Sequence, residues 1–416
     1  MEDQNPSANN TRDTECTITV DEDHHLYFDG RRIHRVPEVM RLKKHKEEDY
    51  YAPKIVSFGP YYHGSSELRM AEGLKPEVLT DFVSRSGKDR EFFYCQIFKV
   101  IDQIRICYVG VSRDEYDDRA LAEMMLLDAS FAIYLMMIFV GDVRKHVHFC
   151  QHLGMALYTF AFQDLILLEN QIPLWVIKHL TTLIYGKREE GAKLICDFLS
   201  TASFGEKKLT KIPRKDGRQP LHLLDAAHRI YLQEFDNSGE LVEDLVNEEK
   251  KPVSKCLWCP WSEHNRQSRS VTDLKAKGIH FKPSSHCLKN IKFKSYKYYG
   301  QLELPVWFFT VNSKPFFTQM IAYEASPEIN TGNVILCYVN FLKSLIVKPE
   351  DVKELREKKI LFSTLDTDEQ VMKLIKEIDN YGLEDDWIFD DVRIRIEKHS
   401  NNKAKTWTYY AMNPPR

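Results

Sequence analysis

Three sets of side chains in this sequence have types and spacings that could do chemistry. Asp128, Asp164 and Glu169 are carboxylates in apolar surroundings, where desolvation raises a carboxyl pKa toward values useful for acid–base work. Asp164 and Glu169 lie five residues apart. On a helix, at about 100° per residue, they would point about 140° apart and form no dyad on one face. A structural role is the stronger reading. Pro173 lacks an N–H and biases Ile172 away from helical backbone, so a helix is expected to end near Asn170 and another to begin at Pro173. That break frees backbone groups in an apolar interior, and Glu169, Asn170 and Gln171 are placed to hydrogen-bond them.

The second set is Cys256-Leu257-Trp258-Cys259 with His264 downstream, the one pair with metal-ligand spacing. A structural zinc site usually needs two well-spaced pairs, and here the second would be His286 and Cys287, adjacent residues that do not easily face one ion. Trp258 and Trp261 favour a hydrophobic anchor instead, and no metal or cofactor is expected. The third set interleaves Lys289, Lys292, Lys294 and Lys297 with Phe293, Tyr296, Tyr298 and Tyr299, as strips that stack bases do. Strand alternation, however, puts Phe293 on one face and the lysines on the other, the pattern of a solvated sheet. The sequence contains no G-x-S-x-G elbow, P-loop, G-x-G-x-x-G, H-E-x-x-H or kinase signature.

The elements that must position these residues are mainly helices. Residues 1–30 are polar and acidic and read as a disordered tail. Ile33 to Gly64 carries Pro37, Pro53 and Pro60 with Gly59 and Gly64, suited to extended segments and tight turns. From about 65 to 231 apolar residues recur at three- and four-residue steps, predicting a helical lobe that includes Ala120–Val140, Phe149–Glu169, Leu174–Tyr185, Gly191–Ser200 and Leu221–Tyr231. Residues 232–270 lack a clear period and read as an insert loop or linker. An α+β lobe follows over 271–398: a short helix at Ser270–Gly278, period-two strands at Ile279–Lys282 and Ile291–Lys294, and a third extended run, Leu302–Val311, in which Pro305 argues for an edge or a bulge. A capping box at Asp366–Glu369 opens a last helix that Gly382 is placed to stop. There is no internal repeat. The expected fold is a single mainly α domain, α+β with a minor β component of a few short strands in the N-terminal and 279–311 regions.

Composition bounds the function. The chain has 416 residues with 58 Lys and Arg against 61 Asp and Glu, a formal charge of −3, so it has no global field for nucleic acid or an anionic membrane. Nine scattered cysteines predict free thiols in a reducing compartment rather than a disulfide framework. The N-terminus has neither a basic n-region nor an apolar h-region, and Glu2 excludes N-myristoylation; the protein is expected in the cytoplasm and not secreted. The most apolar stretch, Met124 to Val140, contains Asp128 and reads as a core helix rather than a membrane span.

Several blocks resemble the plant family called domain of unknown function 247, or uncharacterised protein family 0481. They are Ile33 to Pro37; Tyr51 to Gly64, with Ser57-Phe58-Gly59-Pro60-Tyr61 and His63; Leu126 to Phe131 around Asp128; Asp164 to Pro173; Leu221 to Asp225; Asp273 to Phe281; and Ile321 to Glu324. The resemblance runs from Ile33 to the C-terminus. It implies a helical region followed by a C-terminal transmembrane helix, with some grass members acting as pollen-side determinants of self-incompatibility. The family has no established catalytic residues, so none is carried over. Residues 399–416 resemble the lead-in to that anchor, but no apolar span follows, so membrane attachment, at the cytosolic face, is expected only through an anchor missing from this chain. The expectation is a non-enzymatic interaction or recognition protein with a protein partner. An unfamiliar hydrolase-like enzyme using the buried carboxylates or His63 is the alternative, and binding of nucleic acid or another anion through the 289–299 strip a lesser one.

Overall fold

The computed structural model describes residues 30–41, 49–202, 209–212, 214–215, 218–232, 270–285, 287–327, 329, 332–382 and 387–401. Cys256, Cys259, His264 and His286 lie outside these, as do nearly all of the N-terminal tail, the 232–270 insert and the C-terminal tail. The fold is mainly α with minor β.

An extended N-terminal segment carries one short helix, α1 (Glu38–Arg41), and Ile33 bridges in parallel to Tyr108. Then come α2 (Arg69–Ser86), α3 (Arg90–Phe98), α4 (Ile101–Ile106), α5 (Asp118–Val140), α6 (Val143–Leu153), α7 (Tyr158–Asp164), α8 (Leu174–Tyr185), α9 (Arg188–Ala202) and α10 (Leu223–Leu232). The centre of this lobe is α5. Asp117 caps it by accepting the Ala120 N–H, and Gly141 ends it at φ +111°. It is long and apolar enough to cross a membrane, yet Leu121, Met125, Leu126, Phe131, Ile133 and Leu135 are buried within the fold, where α5 packs on α2, α3, α8 and α9.

The C-terminal lobe opens with α11 (Val271–Ala276) and the strands β1 (Ile279–Pro283), β2 (Lys292–Ser295) and β3 (Gly300–Leu304). β3 is the middle strand, parallel to β1 and antiparallel to β2. A second sheet pairs β4 (Trp307–Phe309) with β5 (Leu361–Ser363) in parallel. Between these strands lie α12 (Ser313–Glu324), α13 (Val334–Leu345) and α14 (Pro349–Glu357), and α15 (Asp368–Glu377) and α16 (Asp390–Ser400) follow. One hydrophobic cluster runs from Ile33 to Ile396. No disulfide links the six cysteines among the described residues.

The structure differs from several sequence expectations. The predicted helix over Phe149–Glu169 breaks at Gly154, whose φ of +89° leaves helical space, and its second part ends at Asp164 rather than near Asn170. Leu302–Val311 is two strands in different sheets. Pro305 falls at the switch, so its missing N–H interrupts no ladder, and β3 is central rather than an edge. The capping box lies one residue later than predicted, with Thr367 accepting from the Gln370 N–H and the Gln370 side chain reaching back. That helix ends at Glu377, ahead of Gly382.

Candidate functional site

Where α7 stops, the chain runs through buried turns to Pro173, at the N-cap of α8. Segment 54–59 lies against this stretch and pairs with no strand, so its buried amides need side-chain partners. Asp164 supplies three of these bonds, accepting the Lys54 N–H on Oδ1 (3.0 Å) and those of Ile55 (2.7 Å) and Val56 (2.9 Å) on Oδ2. Asn170 Oδ1 accepts the Phe58 N–H at 2.7 Å, and its Nδ2 donates to the carbonyls of Val56 (3.0 Å) and Asp164 (2.8 Å). Asp128, projecting from α5, accepts the Gly59 N–H at 2.8 Å. Three side chains thus hold the amides of 54–56, 58 and 59.

The same break is secured from other sides. Gln171 Nε2 donates to the carbonyls of Leu165 (2.9 Å) and Leu167 (2.7 Å), and its Oε1 accepts the Leu224 N–H of α10 (3.2 Å). Glu169 Oε1 accepts the Val36 N–H at 2.6 Å; its Oε2 takes Arg41 at 2.7 Å and the Tyr62 hydroxyl at 2.8 Å. Gln319 of α12 accepts the Leu168 N–H (2.8 Å) and donates to the Tyr50 carbonyl (2.6 Å), tying the C-terminal lobe to the same turn. Gly59, at φ +74°, sits so close that an added Cβ would lie 2.9 Å from both Gln171 O and Tyr108 Oη.

Electrostatics sharpens the picture. Burial raises the Asp128 carboxyl, and Glu72 adds to the rise while Lys75 opposes it. Lys75, wholly buried on α2, reaches Asp128 Oδ1 at 2.6 Å, Glu72 Oε1 at 2.5 Å and the Ser57 carbonyl at 2.8 Å. Burial pushes Asp164 up to about 6 against the pull of its three amide donors. These acids are buried and bonded, Asp164 to backbone amides alone, Asp128 to the Gly59 amide and Lys75, Glu169 to the Val36 amide, Arg41 and Tyr62, and among the described residues they line no common cleft. His63 is exposed and lies edge-on to the Tyr116 ring, apart from them. Pro37 and Pro60 offer carbonyls to the Met40 N–H and the Tyr116 hydroxyl.

A cavity of ≈ 70 Å³ is lined by apolar groups such as Phe162, Ile166, Phe198, Ile230, Trp307 and Phe316, and none of the candidate carboxylates borders it. In the 289–299 strip, Phe293 is buried while Lys292 and Lys294 face outward, and Lys294 pairs with Glu303 at 3.1 Å.

Sequence reasoning missed several members of this network. Lys75 stands at a core position between Leu74 and Val78, a signal that could have marked it as a buried partner for Asp128. Asp225 grips Arg229 through both oxygens (2.7 and 2.9 Å), takes Arg31 at 2.8 Å and accepts the Leu221 N–H; their i,i+4 spacing on α10 was visible. His222 Nδ1 accepts the Asp225 N–H at 3.1 Å and is held down to about 4, mainly by burial. Glu324 accepts the Ile335 and Leu336 amides that open α13 and meets His228 at 2.9 Å; nothing in the spacing announces that pair.

Fold and site together define a helical scaffold in which interior acids and amides clasp an extended strap. Over residues 33–414 the chain matches DUF247, described as plant protein of unknown function, and it belongs to that family. It is similar to two proteins of Arabidopsis thaliana. One, UPF0481 protein At3g47200, is 25% identical over 340 residues, 79% of this chain and 68% of that one. The other, putative UPF0481 protein At3g02645, is 23% identical over 437 aligned residues, 85% of this chain and 79% of that one. No solved structure matches it significantly.

Proposed function

We propose that this is a protein-interaction component of a plant recognition or signalling process, self-recognition in the manner of the grass pollen determinants included, acting on the cytosolic side through its surface rather than by catalysis. The observation that carries the reading is the commitment of Asp128, Asp164, Glu169, Asn170 and Gln171 to fastening the 36–59 strap and the α7–α8 turn. A general acid or base must reach a substrate proton, and these groups reach backbone groups and the side chains of Lys75, Arg41 and Tyr62 instead. An exposed apolar pair supports the reading: Val143 and Val147 lie one turn apart on α6, 70% and 48% exposed, on a face about 120° round the helix from the buried Phe149 and Leu153.

The test is capture from plant tissue with the full chain and with a Val143→Asp/Val147→Asp variant of equal thermal stability. A partner retained by the first and lost by the second supports the reading. Equal capture by both overturns the α6 face; no retained partner, or a hydrolytic activity abolished by Asp164→Asn in folded protein, overturns the reading.

A further inference from the structure

A second cluster of chemistry lies outside the clasp, where α2 and α6 run side by side. His148 and His152, four residues apart on α6, turn the same way, and Glu77 on α2 faces them. The Glu77 Oε2 is 3.6 Å from His152 Nε2 and 4.0 Å from His148 Nε2, and the three candidate ligand atoms lie within 4.8 Å of one another.

The other ring nitrogens decide what these imidazoles can do. His152 Nδ1 lies 2.9 Å from the His148 carbonyl, which only accepts, so Nδ1 carries the proton. His148 Nδ1 lies 2.9 Å from the Tyr134 hydroxyl, whose own proton goes to the Lys145 carbonyl at 2.9 Å; here too Nδ1 is the donor. Both rings are therefore fixed as the tautomer with a bare Nε2 lone pair, and both lone pairs sit beside one carboxylate. This is the arrangement by which metal-binding histidines are oriented through the nitrogen that does not ligate. The nearby Asp81 is already engaged, its Oδ1 with Arg85 and its Oδ2 with Lys145. His146 turns away toward Cys150 and the Tyr158 ring.

We propose that His148, His152 and Glu77 form a binding site for a zinc-class divalent cation that staples α2 to α6 and leaves a coordination position open to water. Two imidazoles and one carboxylate suit zinc, cobalt(II) or nickel(II) rather than magnesium or calcium. A tetrahedral zinc ion with ligands at their usual lengths separates them by about 3.4 Å. The two carboxylate–imidazole separations, 3.6 and 4.0 Å, and the imidazole–imidazole one, within 4.8 Å, require these side chains to close in on the ion, and at 39–58% exposed they have room to do so.

The experiment is titration of the chelator-treated full chain with zinc chloride and, separately, cobalt chloride. Wild type, His148→Gln, His152→Gln, the double variant and His146→Gln are compared, with thermal unfolding confirming that each is folded. Cobalt separates this site from any thiolate site, because cysteine ligation gives an intense near-ultraviolet charge-transfer band that imidazole and carboxylate do not. The expected result is a cobalt spectrum without that band, at least tenfold weaker binding in each of His148→Gln and His152→Gln, and unchanged binding in His146→Gln. As a check that needs no variant, zinc should protect His148 and His152, but not His146, from diethyl pyrocarbonate. Binding in the double variant equal to wild type, a purely thiolate cobalt spectrum, or no protection of the two histidines overturns the proposal.

Discussion

Replacing Lys75 by Met tests the clasp at its most charged point. Lys75 and Asp128 form an ion pair at 2.6 Å with side chains 0% and 1% exposed. Removing one member of such a pair leaves a buried charge uncompensated, at about 3–5 kcal/mol. The two members are not equivalent. In Lys75→Met, Asp128 keeps one donor, the Gly59 N–H, and no cation. In Asp128→Asn, Lys75 keeps Glu72 and the Ser57 carbonyl, and the new amide oxygen can still accept from Gly59. We expect Lys75→Met to cost ~3–5 kcal/mol and Asp128→Asn ~1–3 kcal/mol. The double variant, with no stranded charge, should lie near ~1–3 kcal/mol, well below the sum of the two. Because Lys75 opposes the upward pull of burial on Asp128, its removal lets Asp128 take up a proton and enter the interior neutral, so Lys75→Met should be less damaging at pH 4 than at pH 7. The assay is urea unfolding followed by tryptophan fluorescence, comparing midpoints at unchanged slope. Strict additivity, or a Lys75→Met cost below that of Asp128→Asn, would refute the reasoning.

Two further outcomes follow from the same network. Gly59→Ala should lower stability by ~2–5 kcal/mol, from ~1–2 for a left-handed alanine and the rest from the displaced Tyr108–Gln171 hydrogen bond; a midpoint within error of wild type in the same assay would contradict the close approach. His222 is held at about 4 in the folded chain against an ordinary value of 6.5. The unfolded chain therefore binds the proton first, and stability present above pH 6.5 is lost as pH falls toward 4. At 1.36 kcal/mol per pKa unit this amounts to about 3 kcal/mol. His222→Asn keeps an acceptor for the Asp225 N–H and should flatten the urea-midpoint profile across that window; an unchanged profile would assign the acid sensitivity elsewhere.

Periodicity located the helices well because it depends on which faces are buried: in the last predicted helix the three- and four-residue spacing of Val371, Leu374, Ile375 and Ile378 predicts one apolar stripe, and Val371, Ile375 and Ile378 are buried with Leu374 partly so. Helix ends were read less accurately. Gly154 ends α6 through its own positive φ, whereas Asp164 closes α7 with its side-chain oxygens claimed by three amides of a segment more than a hundred residues earlier and its carbonyl by Asn170 Nδ2. The polar residues of the clasp stood out by their apolar surroundings, but their partners did not. Lys75 and Gln319 lie 53 and 151 residues from what they hold, and no local pattern encodes such a distance.

By itself the sequence determined that this is a mainly helical protein with one large apolar core, a proline-broken turn after α7, and acids and amides that the interior must satisfy. Those follow from local propensity, hydrophobic spacing and the cost of an unpaired buried group, all properties of neighbouring residues. Only the tertiary structure decided which backbone each acid would hold, that β3 lies between β1 and β2, and that His148, His152 and Glu77 meet. Those outcomes depend on which distant surfaces are brought together, and that is a property of the packed chain as a whole.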